Sequence, residues 1–511
     1  VPRVRIPPCP FQKINFPWGS LFSWIPLEKQ YDCGMVRMQQ TITITVFMSA
    51  SALAFGSYAA DDPHGLDTVY YDSVTEDGFF TGGKLQLPME PMDGLIRVGA
   101  GEVTTLLDNG PNTNRIDIVF VGDGYLASEL GSYASHTNTA MAAFLGIEPF
   151  TEYQGLFNVH RVDVISNESG VDHDPYGTYR DTAMDMAFWC NDIERLLCVS
   201  TSKAWGYANN VPSADIALAV ANSSMYGGAG YTSANVATFS GANSAAADVA
   251  IHELGHSLGN LADEYHYGDG TVYSGGEPSA RNASIYTAAE MAASGTKWAP
   301  WLGENNWQWD GLVDTYEGAV YCQYGVYRPT NNSMMRALGR PFNLPSAESF
   351  IIEFYKIVDI IDDATPCCYV SGNDTVFVDT VDIAHAFQIT WTIEDQVIDV
   401  FQNQLEVDLS ELSLAAGNHI LEVDVVDPTS WVRDEAARST HMTGHSQWIV
   451  QVTAPSCPED INGDDVVDVS DLLEIIDSWG TCTTCDADIN DDGIVDVTDL
   501  LMVIDAWGAC S

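Results

Sequence analysis

The sequence predicts an α/β (α+β) domain, then a β-sandwich, then a small all-α module, and three observations carry that expectation. Buried strand patterns alternate with helical ones over residues 113–366, short alternating strands fill 367–454, and 455–511 hold an internal repeat. At 511 residues the chain exceeds the length over which one hydrophobic core keeps growing, so several domains are expected.

Within the first unit, IDIVFV (116–121) reads as a continuously buried strand closed by the GDGY turn. LASELGSYASHTNTAMAAFL reads as a helix, FNVHRVDVI (157–165) as a strand, AFWCNDIERLLCV as a helix and DIALAVAN (215–222) as a third strand. A Gly/Ser/Ala-rich loop is expected around 223–245, ahead of AADVAIHELGHSLG, which is apolar at helical spacing. Residues 265–345 are loop-dominated and rich in Trp and Tyr, and AESFIIEFYKIVDIID (347–362) closes the unit as an amphipathic helix. TVFVDTV, FQITWTI, HILEVDVV and SQWIVQV then supply the strands of the sandwich.

The N-terminal part divides in three. Residues 60–112 form a β-rich segment whose role the sequence does not disclose. Residues 35–59 have the basic start, apolar middle and small-residue end of a signal peptide, the alternative being a short buried or anchoring helix. Residues 1–34 are basic and Pro-rich, unlike an export signal, so this doubtful upstream leader suggests a translation start at Met35 or Met38. Export makes the expected location secreted, extracellular or cell-surface, where disulfides are permitted. Of eleven cysteines, Cys9 and Cys33 fall in the leader, and the nine that remain are odd in number, which leaves one thiol over. Cys190 and Cys198 flank an apolar helix-like run within AFWCNDIERLLCV, while adjacent Cys367 and Cys368 close the α/β unit.

A formal net charge of −51 excludes nucleic acid as an expected partner, because no cationic surface is available to displace its counterions. Once the signal is removed, no membrane span is expected in the mature chain.

The chemistry is concentrated in His252-Glu253-Leu254-Gly255-His256. Two imidazoles four positions apart stand one above the other on a helix and can reach one metal ion. Glu253 sits about 100° around the helix from His252, where its carboxylate can take a proton from an attacking water. A catalytic zinc requires a third protein ligand and an open position. On an unbroken helix Asp263 would lie about 16 Å along the axis from His252, so the chain must turn back, and Gly259-Asn260 is a natural left-handed break. The usual third-histidine position is Ala262, which cannot ligate. Asp263 is therefore the favoured third ligand, followed by Glu264 and His266, with Glu264 or Tyr265 in support; alternatively Asp263 and Glu264 merely cap or solvate the turn. Such a catalytic unit is zincin-like. Met334-Met335 is placed where some zincins have a methionine turn beneath the metal, though Met is also a common core filler. Arg336 reads as a substrate contact or a structural ion pair, and Asp123 and Tyr125 as a functional strand end or a structural turn.

HELGHSLGNLADEY resembles the IgA-peptidase family of zinc metallo-endopeptidases, as do DIVFVGDGY (117–125), FNVHRVDVISNESGVD (157–172), ERLLC (194–198) and SMMRALGRPFNLPSAES (333–349). VVDPTSWVR (425–433) resembles the β-module that follows such a peptidase unit. The resemblance implies His252 and His256 as zinc ligands, Glu253 as general base and Asp263 as the third ligand, in an enzyme acting on proteins or peptides. IgA as substrate does not follow from it.

DINGDDVVDVSD (460–471) and DINDDGIVDVTD (488–499) recur 28 residues apart, each ahead of a Leu-Leu-rich helix. Oxygen donors occupy positions one, three, five, nine and twelve, the arrangement that wraps calcium. They are Asp460, Asn462, Asp464, Asp468 and Asp471, then Asp488, Asn490, Asp492, Asp496 and Asp499, so two calcium ions are expected. Asp465 stands in the first loop where Gly493 stands in the second. Each repeat resembles half of a type I dockerin module, which implies a cohesin-like partner; the alternative is a calcium-stabilised tail with none. Cys457 with Cys482 and Cys485 with Cys510, each pair 25 apart, suggest one disulfide per repeat. Two competing readings of the whole chain are a non-catalytic secreted adhesion or scaffold protein and a zinc amidase acting on cell-wall peptides. An intact Glu253 speaks against the first, and only substrate profiling separates the second.

Overall fold

The computed structural model describes residues 65–74, 80–90, 101–173, 175–366, 369–453, 457–482 and 485–510. The leader, the signal peptide and Cys367-Cys368 lie outside the described residues.

Eight strands form the central sheet: β1 (Leu66–Val74), β2 (Phe80–Pro88), β3 (Glu102–Leu107), β4 (Ile116–Asp123), β5 (Phe157–Asp163), β6 (Ile216–Ala221), β7 (Gly228–Tyr231) and β8 (Val236–Ser240). Their order is β2-β1-β7-β8-β6-β4-β5-β3. The middle four, β8, β6, β4 and β5, run parallel, and the strands outside them pair antiparallel. IDIVFV is apolar throughout because both faces of β4 are covered. Ile118 and Phe120 join the core beneath α1 (Leu130–Phe144) and α3 (Ala246–Ser257), while Val119 and Val121 join the core that includes residues of α2 (Thr201–Ala208).

The strands described within 60–112, β1, β2 and β3, belong to the main sheet. Two sequence expectations are corrected here. The loop expected at 223–245 contains β7 and β8, whose small residues allow them to pack close beneath α3. AFWCNDIERLLCV is not a helix. Ala187 pairs with Cys198, the Cys190–Cys198 disulfide ties the segment into a loop, and Trp189, Asn191 and Asp192 all have positive φ, which a helix cannot use.

α4 (Leu344–Ile357) begins on Asn343, whose side chain accepts from Ser346 N. Its apolar face continues the α1–α3 core into the next region, so Phe354 and Tyr355 share one core with Trp391 and Trp448. That region has a three-stranded sheet (Ile361–Ala364, Thr375–Thr380, Glu406–Asp408) and a five-stranded sheet dominated by Gly417–Val426 and Thr443–Val452. Alternate residues Leu421, Val423 and Val425 point into the shared core, as the period of two demands. The block VVDPTSWVR joins the two regions. Asp427 accepts from Tyr153 Oη and Tyr355 Oη, both at 2.8 Å, and Trp431 packs against Trp309. Glu348 accepts from the backbone N–H groups of Arg433 and Asp434.

In the tail, α5 (Val469–Asp477) and α6 (Val497–Asp505) pack on a small core of their own. The expected disulfides are corrected: Cys457 bonds Cys510, and Cys482 bonds Cys485. The reason is that the repeats interlock. Val466–Val467 pairs with Gly508–Ala509 and Gly480–Thr481 pairs with Ile494–Val495, so the module's two ends meet. Among the described cysteines, Cys322 is the free thiol. Among the described residues no helix is long and apolar enough to cross a membrane.

Candidate metal centre

α3 presents its histidines from a fully buried stretch, Val249 to His256. Its last turn closes through Leu258 N and Gly259 N on Leu254 O. Asn260, rather than Gly259, takes the left-handed conformation at φ +51°, as asparagine does readily. Leu261 N then returns to Gly255 O at 2.9 Å, reversing the chain and delivering Asp263 to the histidines.

The result is a triangle of donors. His252 Nε2 and His256 Nε2 are 3.1 Å apart, and Asp263 Oδ1 lies 3.2 and 3.3 Å from them. Each imidazole is oriented from behind by a backbone carbonyl, Met334 O at 3.1 Å from His252 Nδ1 and Leu261 O at 2.9 Å from His256 Nδ1. A carbonyl can only accept, so Nδ1 carries the proton, and in the neutral ring Nε2 then offers its lone pair. Two lone pairs and a carboxylate oxygen converge on one point in a buried space. A bound metal cation would make that arrangement favourable, and ring orientation by carbonyls is how metal-binding histidines are held. Among the described His, Cys, Asp and Glu side chains, this is the one group close enough to hold a metal, its ligand atoms all within 4.8 Å.

Glu253 is buried beside the triangle, next to β7, where a Cβ on Gly230 would meet Glu253 Oε2 at 2.5 Å. Glu264 lies beneath it. Its carboxylate accepts from Ser333 Oγ at 2.7 Å, Asn282 Nδ2 at 3.0 Å and Asn343 Nδ2 at 2.8 Å, while burial pushes its pKa up to about 7. Its backbone N–H donates to Met335 O at 2.8 Å, so Met334-Met335 does form a turn under the histidines. Tyr265 stands farther off, its ring against Tyr321. His266 is absent from the triangle and accepts from Gly268 N.

The other candidates make hydrogen bonds away from the triangle. Asp123 accepts from Met184 N at 2.9 Å and Met186 N at 2.8 Å, anchoring the loop that precedes α2. Tyr125 Oη meets His136 Nδ1 at 2.9 Å, and Arg336 donates to Asn331 O at 2.9 Å. In the tail, Asp460 and Asp488 accept the backbone N–H groups of their own loops, and Asp471 and Asp499 reach back to Ile461 N and Ile489 N. Asp468 and Asp496 cap α5 and α6. Asn462 and Asn490 accept from Asp464 N and Asp492 N, which closes each loop around its oxygen donors.

Two residues escaped the sequence reading. The Tyr321 hydroxyl donates to Asp263 Oδ2, and the Tyr70 ring stacks on His256 with centroids 4.3 Å apart. Neither carries a local signal, because each arrives from a distant segment.

Two imidazoles and a carboxylate about one point, with a second carboxylate on the same helix, form a group that could hold one metal ion. Residues 104–309, which contain the triangle, match the family model described as IgA Peptidase M64 and support a peptidase family for this part of the chain. A comparison with curated proteins found no match.

Proposed function

We propose that this chain is a secreted zinc-dependent endopeptidase with His252, His256 and Asp263 as zinc ligands and Glu253 as general base. The observation that carries the reading is the convergence of His252 Nε2, His256 Nε2 and Asp263 Oδ1 within 3.3 Å of one another. Zinc, when bound, polarises the scissile carbonyl and makes water a better nucleophile near neutral pH. Glu253 takes the proton of the attacking water and passes it to the leaving amine, a role suited to a carboxylate buried beside the reacting atoms. The Met334 and Leu261 carbonyls keep both rings in the binding tautomer. The Tyr321 hydroxyl fixes the Asp263 carboxylate.

Around this centre we read a zincin-like domain, a β-sandwich and a two-site calcium module resembling a dockerin. Calcium is favoured by the oxygen donors at matching positions of the two loops. A protein partner is favoured by the paired exposure of Leu473, Ile476 and Trp479 with Leu501, Ile504 and Trp507, from 47% to 57%. Disulfides Cys190–Cys198 and Cys457–Cys510 suit an oxidising location.

The test is cleavage of a protein mixture by purified chain, with and without a zinc chelator, beside Glu253→Ala, with metal content measured by elemental analysis. Bound zinc and cleavage lost in both the chelated and the Glu253→Ala samples are expected. Equal cleavage by all three preparations, or no metal in the native protein, would defeat the assignment.

A further inference from the structure

A peptidase needs its metal open to substrate, yet His252 and Glu253 are 0% exposed and His256 and Asp263 1%. What closes the site is the segment whose role the sequence did not disclose. β1 lies along the outer edge of β7, pairing Val69 with Tyr231 and Tyr70 with Gly230. That register sets the Tyr70 ring flat on His256, 4.3 Å between centroids and 11° between planes. β7 is also the strand pressed against Glu253, so β1 holds the hydrogen-bonding edge beside the general base, the kind of edge to which an extended peptide adds as a strand.

The hairpin pairs with itself over a longer stretch than it pairs with the body. Within it, β1 pairs with β2 along their whole length, from Leu66 against Pro88 to Val74 against Phe80, whereas its ladder to β7 is confined to Val69 and Tyr70. Beyond that ladder, Asp67 accepts from Ser233 N at 2.8 Å and Ala234 N at 3.2 Å, Thr68 O accepts from Thr232 N at 3.3 Å and Thr232 Oγ1 at 3.0 Å, Glu90 just after β2 accepts from Ser200 Oγ and Ser202 N, and Val69 is buried in the core of the body. A groove of about 260 Å³ is bordered by Asp67, Leu87 and Glu90 on the hairpin side and by Val199 and Tyr231 on the body.

Resting on the zinc peptidase reading, we propose that the hairpin of residues 66–88 is a self-occluding cover. It occupies the sheet edge and seals the metal centre through Tyr70, and substrate reaches the centre only when the hairpin lifts from β7.

Full-length, zinc-loaded chain is compared with Tyr70→Ala and Asp67→Ala, and with a double variant, Val69→Cys with Tyr231→Cys, that can lock the two strands together. Two readouts are taken: the rate at which a chelator strips zinc, and cleavage of an unstructured peptide. Losing the two hydrogen bonds of Asp67 should shift the closed-to-open ratio by about tenfold, so both rates rise by about that factor. The oxidised lock should keep its zinc and lose most cleavage, and reductant should restore it, with unmodified chain treated alike as control. Unchanged or slower stripping in both single variants, or an oxidised lock that cleaves like the reduced form, would show the hairpin to be a fixed wall and overturn the proposal. If no form cleaves while stripping rates still follow the expected order, the cover stands and the peptidase reading fails.

Discussion

Met335 lies directly against Gly255, so close that a Cβ on Gly255 would sit 2.4 Å from Met335 Sδ. The middle of the metal-binding helix therefore has no side chain because the methionine turn occupies its place. Helix propensity alone favours Ala over Gly by about 1 kcal/mol. Overpacking a filled core costs about 1–3 kcal/mol, so packing wins. Gly255→Ala should lower the midpoint of denaturant unfolding with unchanged m-value; a midpoint raised by the substitution would show that Met335 yields freely.

Glu264 ties three segments together under the site, from Asn282, from Ser333 and from Asn343 at the start of α4. In Glu264→Gln an amide N–H₂ faces donors that in the wild type meet a carboxylate acceptor, and a buried donor-to-donor mismatch of this kind costs about 1–3 kcal/mol. Zinc affinity should fall by about 10- to 100-fold, the range for groups that orient metal ligands. A chelator competition that returns the native affinity would show that the Asp263 turn holds itself.

Much of this was legible before the structure. The continuous burial of Ile116–Asp123 and the helical spacing around His252 and His256 are local patterns, and local patterns survive folding. Asp263 could be inferred because Ala262 cannot ligate and the chain had to reverse. Tyr70 and Tyr321 could not be read, since they meet the triangle through strand register and a long loop. The 187–199 segment was misread because its apolar spacing imitates a helix, while a disulfide and three positive-φ residues decide otherwise. The tail disulfides were misassigned for a related reason: each repeat was taken as closed on itself, whereas the strands of Val466–Val467 and Ile494–Val495 cross to the other repeat.

His385 spans the junction between the two large regions, with Nδ1 2.6 Å from Glu152 Oε1 and Nε2 2.7 Å from Asp427 Oδ1. Burial alone would lower its pKa, but hydrogen bonds and charge from Asp427 and Glu152 outweigh it and raise the value above 6.5. A histidine raised on folding stabilises fully below its unfolded value and loses that contribution as pH climbs through the folded one. Asp427 is held below 3.8; burial opposes this, and His385 and the donors around it prevail. Its contribution is lost only as pH falls through that lowered value. The Tm advantage of wild type over His385→Gln should thus be largest just below pH 6.5 and shrink as pH rises. A difference that stays constant up to pH of about 9 would contradict the assigned protonation.

Asp465 and Gly493 occupy the same position of the two tail loops with φ of +67° and +87°. Glycine adopts that conformation freely, while a residue with a Cβ gives up about 1 kcal/mol or somewhat more there. If the loops bind calcium as we propose, the first is the weaker by roughly fivefold, because ordering that loop around the ion has to hold Asp465 in the strained conformation. Asp465→Gly should therefore bring the two affinities together. The variant also removes one negative charge at an exposed position, and the gain is expected in spite of the charge change. Calorimetric titration checks this. Two equal sites in the wild-type chain, or a first site weakened by the glycine, would mean that charge at position 465 outweighs backbone strain.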